Sequence, residues 1–286
     1  MKNLIKLMRI KHYLKNGLVF LPLFFSGKIF DDFLLVRSLI GFIAFSLMAS
    51  AIYVLNDLKD IEEDRQHVTR KNRPLASGKV SKTTAFLFLL IMMAASLAIS
   101  VSLTGLNGWA LSVLLLYFGI NVLYSYGFKD LAIMDILILV TGFLLRIIYG
   151  SLITGIGVSD WLYLMVMAIA FYMGLGKRKN EMAHQGTNSR KVLKHYTKNF
   201  LDNNMHLFIT LAIGFYALWC IDPLTTLSHH NFHMIWTMPL ICVIILRYDL
   251  DVETNMSGDP VEIILKDRLL IFLAVVFLVT MGLIIY

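Results

Sequence analysis

The sequence predicts an all-α, polytopic membrane helical bundle of about nine transmembrane helices, and three observations predict it. Of the 286 residues, 58% are hydrophobic, and the mean hydropathy is +0.71. Only 16% are charged, and these are bunched between long apolar runs. Basic residues also fall on alternate loops. A soluble chain of this size could not hide so much apolar surface in one core, because its outside must still face water. Lipid removes that difficulty.

A membrane span needs roughly 20 mostly apolar residues. By that rule the candidate spans are about 14–30, 33–57, 83–104, 108–127, 131–154, 160–177, 204–221, 233–248 and 268–286. The first is the weakest, since Pro22 interrupts a short apolar run. Charge supplies the check. With the N-terminus in the cytoplasm, the loops after even-numbered spans carry Arg65, Arg70, Lys71, Arg73, Lys79 and Lys82, then Lys129, then Lys177 through Lys198, then Lys266 and Arg268. The opposite loops hold almost no Lys or Arg beyond Lys28. This is the positive-inside bias, and dropping the first span would put the basic N-terminus outside. The expectation is a multi-pass protein of the cell (inner) membrane, one domain over 1–286, with its N-terminus cytoplasmic.

Composition also narrows the function. The net charge of +7 is a topology signal, not a nucleic-acid footprint, because the basic residues follow the loops. Cys220 and Cys242 form no CxxC and no metal spacing. His67, His184, His195, His229, His230 and His233 show no ligand pattern with a carboxylate and are assigned no metal. Lys2, Lys6, Arg9, Lys11 and Lys15 precede the run Gly17–Phe25, but no small-residue cleavage site follows, so no cleavable signal peptide is expected.

The strongest local signal is Asn56-Asp57-Leu58-Lys59-Asp60-Ile61-Glu62-Glu63-Asp64, where the second span meets the cytoplasm. If the helix continues, Asp57, Asp60 and Asp64 share one face, with Asn56 at its edge. Carboxylates that close repel unless a cation sits among them. Mg²⁺ fits, since it takes oxygen ligands and is often shared between one or two carboxylates and substrate phosphates. The following segment, Arg65 to Gly78, supplies Lys71 and Arg73 for remaining phosphate oxygens.

A second group follows the fourth span. Tyr124, Lys129 and Asp135 stand there, and Asp135 opens an apolar helix that also contains Arg146. Charges within a span are costly and mark bundle interiors or wet cavities. Asp135 is expected to be a second metal or phosphate contact and Arg146 an anion anchor. Lys15 and Asn16 at the first span, and Lys177 and Arg178 at the sixth, complete the expected ring of polar groups.

These residues resemble the UbiA superfamily of membrane prenyltransferases, whose first motif, NDxxDxxxD, is matched by Asn56, Asp57, Asp60 and Asp64. Within it, the chain resembles the decaprenyl-phosphate phosphoribosyltransferase branch. The segment Arg9 to Asn16 is similar to that branch's RPxxWxKN opening, with Ile10 and Tyr13 in place of Pro and Trp. Asp64 to Gly78 is similar to DRxHPxKxxRPxAxG, with Val68 and Arg70 replacing Pro and Lys. Tyr124-Ser125, Lys129, Asp135 and Gly142 to Arg146 are similar to YSxxLKxxxxxD…SGFxxR, Gly176 to Glu181 to GKRxxE, and Arg247-Tyr248, Pro260, Glu262 and Asp267-Arg268 to the C-terminal RY…PE…DR. No departure removes a candidate metal ligand.

The resemblance implies transfer of 5-phosphoribose from 5-phosphoribosyl-1-diphosphate to a polyprenyl phosphate, with Mg²⁺ as cofactor and diphosphate as product. Asn56, Asp57, Asp60 and Asp64 would hold Mg²⁺ on the donor diphosphate, and Lys71 and Arg73 would neutralise it. Tyr124, Lys129 and Asp135 would bind the ribosyl phosphate or a second metal. Lys15, Arg146, Lys177 and Arg178 would place the acceptor phosphate, whose isoprenoid tail would lie in an apolar groove open to the membrane lipids, and Asn16 would join the substrate-binding residues. A homo-oligomer is compatible with the sequence. Two rivals are weighed. An aromatic prenyltransferase of the same superfamily would need fewer cations around its site. A carrier or channel would show inverted repeats or paired broken helices, which the sequence lacks.

Overall fold

The computed structural model describes residues 2–66, 70–106, 108–185, 190–223, 225, 234–254 and 260–286, without the side chains of 184, 185 and 260–262. Among these residues there is helix and no strand. His67, Val68, His229, His230 and His233 lie outside the described residues.

Among the described residues, five helices are long and apolar enough to cross a membrane. They are α3 (Asp32–Lys59), α5 (Lys82–Thr104), α7 (Met134–Thr154), α9 (Lys198–Ile221) and α12 (Arg268–Ile285). Three further helices match expected spans: α6 (Trp109–Ser125), α8 (Asp160–Gln185) and α10 (Met238–Thr254). The short helices are α1 (Lys2–Met8), α2 (Leu21–Phe25), α4 (Ile61–Gln66) and α11 (Pro260–Lys266). The chain is a multi-pass membrane protein.

Residues 14–30, expected as one span, are built differently. A 3₁₀ helix runs over Ile10–Phe20, 11 residues, and passes into α2. Leu21 N–H bonds back to Leu18, and Pro22 has no N–H to continue an α-helical ladder. At about 2 Å per residue the 3₁₀ segment covers roughly 22 Å, more than an α-helix of equal length. The span expected to begin near 204 starts earlier, at Lys198, because the Thr197 side chain accepts the Phe200 N–H at 3.1 Å. Asp31, Ser81 and Asp267 cap α3, α5 and α12 in the same way.

The described residues form two compact units. The first comprises 1–23, 28–128 and 145–156; the second comprises 24–27, 129–144 and 157–286. In the first, α3 presents small residues to its neighbours: Ser38, Gly41, Ala44, Ala49, Ser50 and Ala51 are all buried. Small side chains let helices approach closely where lipid gives no hydrophobic drive to associate. Gly150 of α7 lies so near the 3₁₀ helix that a Cβ there would stand 2.1 Å from the Val19 carbonyl oxygen. Arg37 ties helix ends together, donating to the carbonyls of Ile153 (2.6 Å) and Leu103 (2.5 Å). In the second unit, α8 packs along α9, and Ile136, Val140, Leu175, Val192, Leu193, Leu201 and Met205 share one apolar core.

Candidate active site

The acidic motif lies at the end of α3. The helix does not run straight through it, as expected, but stops at Lys59; Asp60 takes φ −91° and ψ 15°, and α4 restarts at Ile61. Two bonds bridge the bend, Asp60 N–H to Asn56 O (2.9 Å) and Asp64 N–H to Asp60 O (2.8 Å), so the one-face spacing is largely kept. Asp57 and Asp64 are 2% and 1% exposed; Asp60 is half-buried.

Two arginines meet these acids. Arg73 Nη1 stands 3.1 Å from Asp57 Oδ1 and 2.6 Å from Asp64 Oδ2, bridging both. Arg9 donates to Asp57 Oδ1 as well. Arg9 has φ 52° and ψ 51°, a left-handed conformation uncommon outside glycine, and its guanidinium lies 5.0 Å from the Tyr53 ring centroid. The Ser50 hydroxyl donates to Met8 O at 3.0 Å and is bonded to Tyr13 OH at 2.8 Å, which pins the N-terminal segment beside α3. Asn56 Oδ1 accepts from Ser125 at the end of α6. Pro74, Leu75 and Ala76 are buried, so the basic segment folds back and brings Arg73 inward while Lys71 stays exposed. Among the described residues, no three His, Cys, Asp or Glu side chains stand gathered for a metal. One atom nevertheless signals a missing partner: Asp64 Oδ1 is buried and has no hydrogen bond. An unmet buried carboxylate oxygen is costly.

The same unit holds Arg146, 5% exposed. Its Nε donates to Asn16 Oδ1 and its Nη2 to Tyr117 OH, both at 2.9 Å. Asn16 in turn donates to Ser46 at 2.9 Å. The guanidinium lies 5.0 Å from the Phe45 and Tyr117 ring centroids. Lys15 is half-buried and close enough to Tyr117 for its charge to act on it. Tyr124 is half-buried.

In the second unit, Asp135 begins α7 fully buried. Its Oδ2 faces Arg178 Nε at 2.5 Å, and its Oδ1 accepts the Tyr196 hydroxyl at 2.6 Å. Arg178 has no exposure and reaches Glu181 Oε2 with Nη1 at 2.6 Å; Arg190 stands 3.9 Å from the same oxygen. Burial alone would raise the Glu181 carboxyl, but Arg178, then Arg190 and Lys177, outweigh it and hold it below its ordinary value of 4.5. Lys129 sits half-buried in the 3₁₀ turn Phe128–Asp130, and Lys177 is half-buried. Further along, Arg247 pairs with Asp267, and that bond draws the Asp267 carboxyl down to about 2.

The structure therefore joins Asp57, Asp64 and Arg73 in one cluster, Asn16 with Arg146 in another, and Asp135 with Arg178 in a third. Sequence reasoning missed Arg9, Ser125, Tyr117 and Tyr196 as partners. Arg9 belongs to a motif already singled out, and Tyr196 directly precedes the helix cap Thr197, a signal that could have found it.

The fold is that of a helical membrane protein whose buried acids are paired with arginines. The UbiA prenyltransferase family profile matches residues 18–257. The decaprenyl-phosphate phosphoribosyltransferase of Mycolicibacterium smegmatis is 35% identical, with 99% of this chain and 92% of that one covered. Its counterpart from Mycobacterium tuberculosis is 32% identical, covering 97% and 92%. The structure of a UbiA homolog from Archaeoglobus fulgidus bound to GPP and Mg²⁺ matches over 99% of both chains at a TM-score of 0.68 and 19% identity, a likeness of fold. The chain belongs to the UbiA prenyltransferase family, and it is a transferase.

Proposed function

We propose that the protein transfers 5-phosphoribose from 5-phosphoribosyl-1-diphosphate to a polyprenyl phosphate, at the cytoplasmic face of the cell membrane and with Mg²⁺. The observation that carries this reading is the near full-length similarity to relatives bearing the name decaprenyl-phosphate phosphoribosyltransferase.

The residues present fit a hard divalent cation: Asp57 and Asp64 are buried acids, and Asp64 Oδ1 lacks a partner. Asn56, Asp57, Asp60 and Asp64 would hold it. When bound, Mg²⁺ supplies charge stabilisation to the departing diphosphate. In the reaction, an oxygen of the acceptor phosphate bonds to C1 of the ribose. The C1–O bond to diphosphate breaks, and diphosphate leaves with the electron pair. In this reading Arg73, with Arg9, exchanges carboxylate partners for diphosphate oxygens, and the exposed Lys71 adds a further cation. Such preplaced cations lower the barrier as charge builds on the leaving group. Tyr124, Lys129 and Asp135 serve the ribosyl phosphate or a second metal. Lys15, Asn16, Arg146 and Lys177 serve the acceptor phosphate. Arg178 is enclosed by Asp135 and Glu181, so its part is to hold Asp135. The acceptor is already anionic, so no strong general base is needed, and positioning carries most of the catalysis.

The test offers purified protein, with Mg²⁺, two substrate pairs: phosphoribosyl diphosphate with a polyprenyl phosphate, and a polyprenyl diphosphate with 4-hydroxybenzoate. Mass spectrometry of the lipid fraction reads the result. A lipid heavier by one phosphoribosyl group supports the reading; a prenylated aromatic acid replaces it with the aromatic prenyltransferase.

A further inference from the structure

Residues 190–197, which lead into α9, have the composition of a solvated basic loop, yet they are docked. Val192 and Leu193 have no exposure and Tyr196 has 5%. Thr197 caps α9 directly afterwards, and the Phe200 ring stacks on Tyr196 with centroids 5.9 Å apart. The Tyr196 hydroxyl is thus delivered by an ordered turn. It donates to Asp135 Oδ1 at 2.6 Å and accepts the Ile133 N–H at 2.7 Å. Ile133 has φ 69°, a left-handed conformation that is a true outlier for a β-branched residue. Such a conformation persists only where its surroundings over-determine it. The remaining Asp135 oxygen faces Arg178. Two side chains therefore set the Asp135 carboxylate, and one of them comes from this turn.

We infer that Tyr196 is a positioning residue for the donor: it holds the Asp135 carboxylate and the Ile133 turn in the arrangement that serves the phosphoribosyl group. This rests on the reading above that Asp135 acts on the donor side. Burial, and then the bond to Asp135, push the phenol above its ordinary value, so it remains a donor throughout the physiological range. Phe at this position would keep the stacking on Phe200 and the apolar packing, while removing one bond to Asp135 and one to Ile133.

The experiment uses the full chain in detergent micelles as wild type, Tyr196→Phe, Asp135→Asn and the double variant. Calorimetry without acceptor gives the Mg²⁺-dependent affinity for phosphoribosyl diphosphate, and steady-state kinetics gives both KM values. In Tyr196→Phe the donor Kd and KM should rise about tenfold, as expected when a hydrogen bond to a charged group is lost. The acceptor KM should stay unchanged, Tm should fall by several degrees with the enzyme still folded at the assay temperature, and the double variant should be no worse than Asp135→Asn alone. A merely structural Tyr196 would lower kcat through loss of folded protein and leave both KM values alone. A Tyr196→Phe enzyme equal to wild type, beside an impaired Asp135→Asn, overturns the inference and leaves the functional reading standing. A wild type that neither binds the donor nor transfers from it overturns the functional reading, and the inference with it.

Discussion

Arg178 Nε lies 2.5 Å from Asp135 Oδ2, and neither side chain has any exposure. Removing one member of such a pair leaves a buried charge without compensation, at a cost of about 3–5 kcal/mol. Arg178→Met should therefore unfold at a much lower temperature in micelles than wild type. Adding Asp135→Asn should restore part of the loss. Equal melting of wild type and Arg178→Met would remove this pair from the account.

Arg73 and Lys71 differ in a way their spacing did not suggest. Arg73 bridges Asp57 and Asp64, whereas Lys71 is exposed. Arg73→Ala should lower kcat by about 100-fold or more, the scale of one lost transition-state donor. Lys71→Ala should change mainly donor KM, by about threefold to tenfold, as an exposed charge does. Steady-state kinetics over a donor series separates the two.

Arg37 satisfies carbonyls at the ends of α5 and α7. Backbone groups without water need such partners. Arg37→Met should cost about 2–4 kcal/mol by the two bonds lost, read as a fall in Tm with donor and acceptor KM unchanged.

Glu181 gives a pH dependence. Its carboxyl is held below 4.5 in the folded protein, so its contribution is present above about pH 4.5 and is lost as pH falls through the lower folded value. Tm should decline on acidification below about pH 4.5 in wild type, and less steeply in Glu181→Gln. Parallel slopes would mean that Glu181 carries no such linkage.

Much of this was legible in the sequence because membrane spans and the acidic motif are local patterns. Apolar length marked α3, α5, α7 and α12, and alternate-loop charge agreed with them. The rest depended on distant pairings. Arg9 and Asp57 are 48 positions apart, and the left-handed turn that lets them meet has no glycine to announce it. Tyr196 and Asp135 are 61 apart, and the apolar pair Val192-Leu193 that docks the turn was hidden in a basic run. The bend at Asp60 also escaped, since nothing in Lys59-Asp60-Ile61 breaks a helix by propensity. The 3₁₀ form of the first span was foreshadowed only by Pro22.

The central claim is that the phosphoribosyl group moves and diphosphate leaves. The most direct measurement gives the enzyme, with Mg²⁺ and a polyprenyl phosphate, phosphoribosyl diphosphate radiolabelled either at the 5-phosphate or at the terminal phosphate of the diphosphate. The 5-phosphate label should enter the lipid fraction, the terminal label should be released as water-soluble diphosphate, and Asp57→Asn should abolish both the lipid labelling and the diphosphate release while remaining folded. Terminal label in the lipid, no lipid label at all from wild type, or normal transfer by Asp57→Asn would contradict the account.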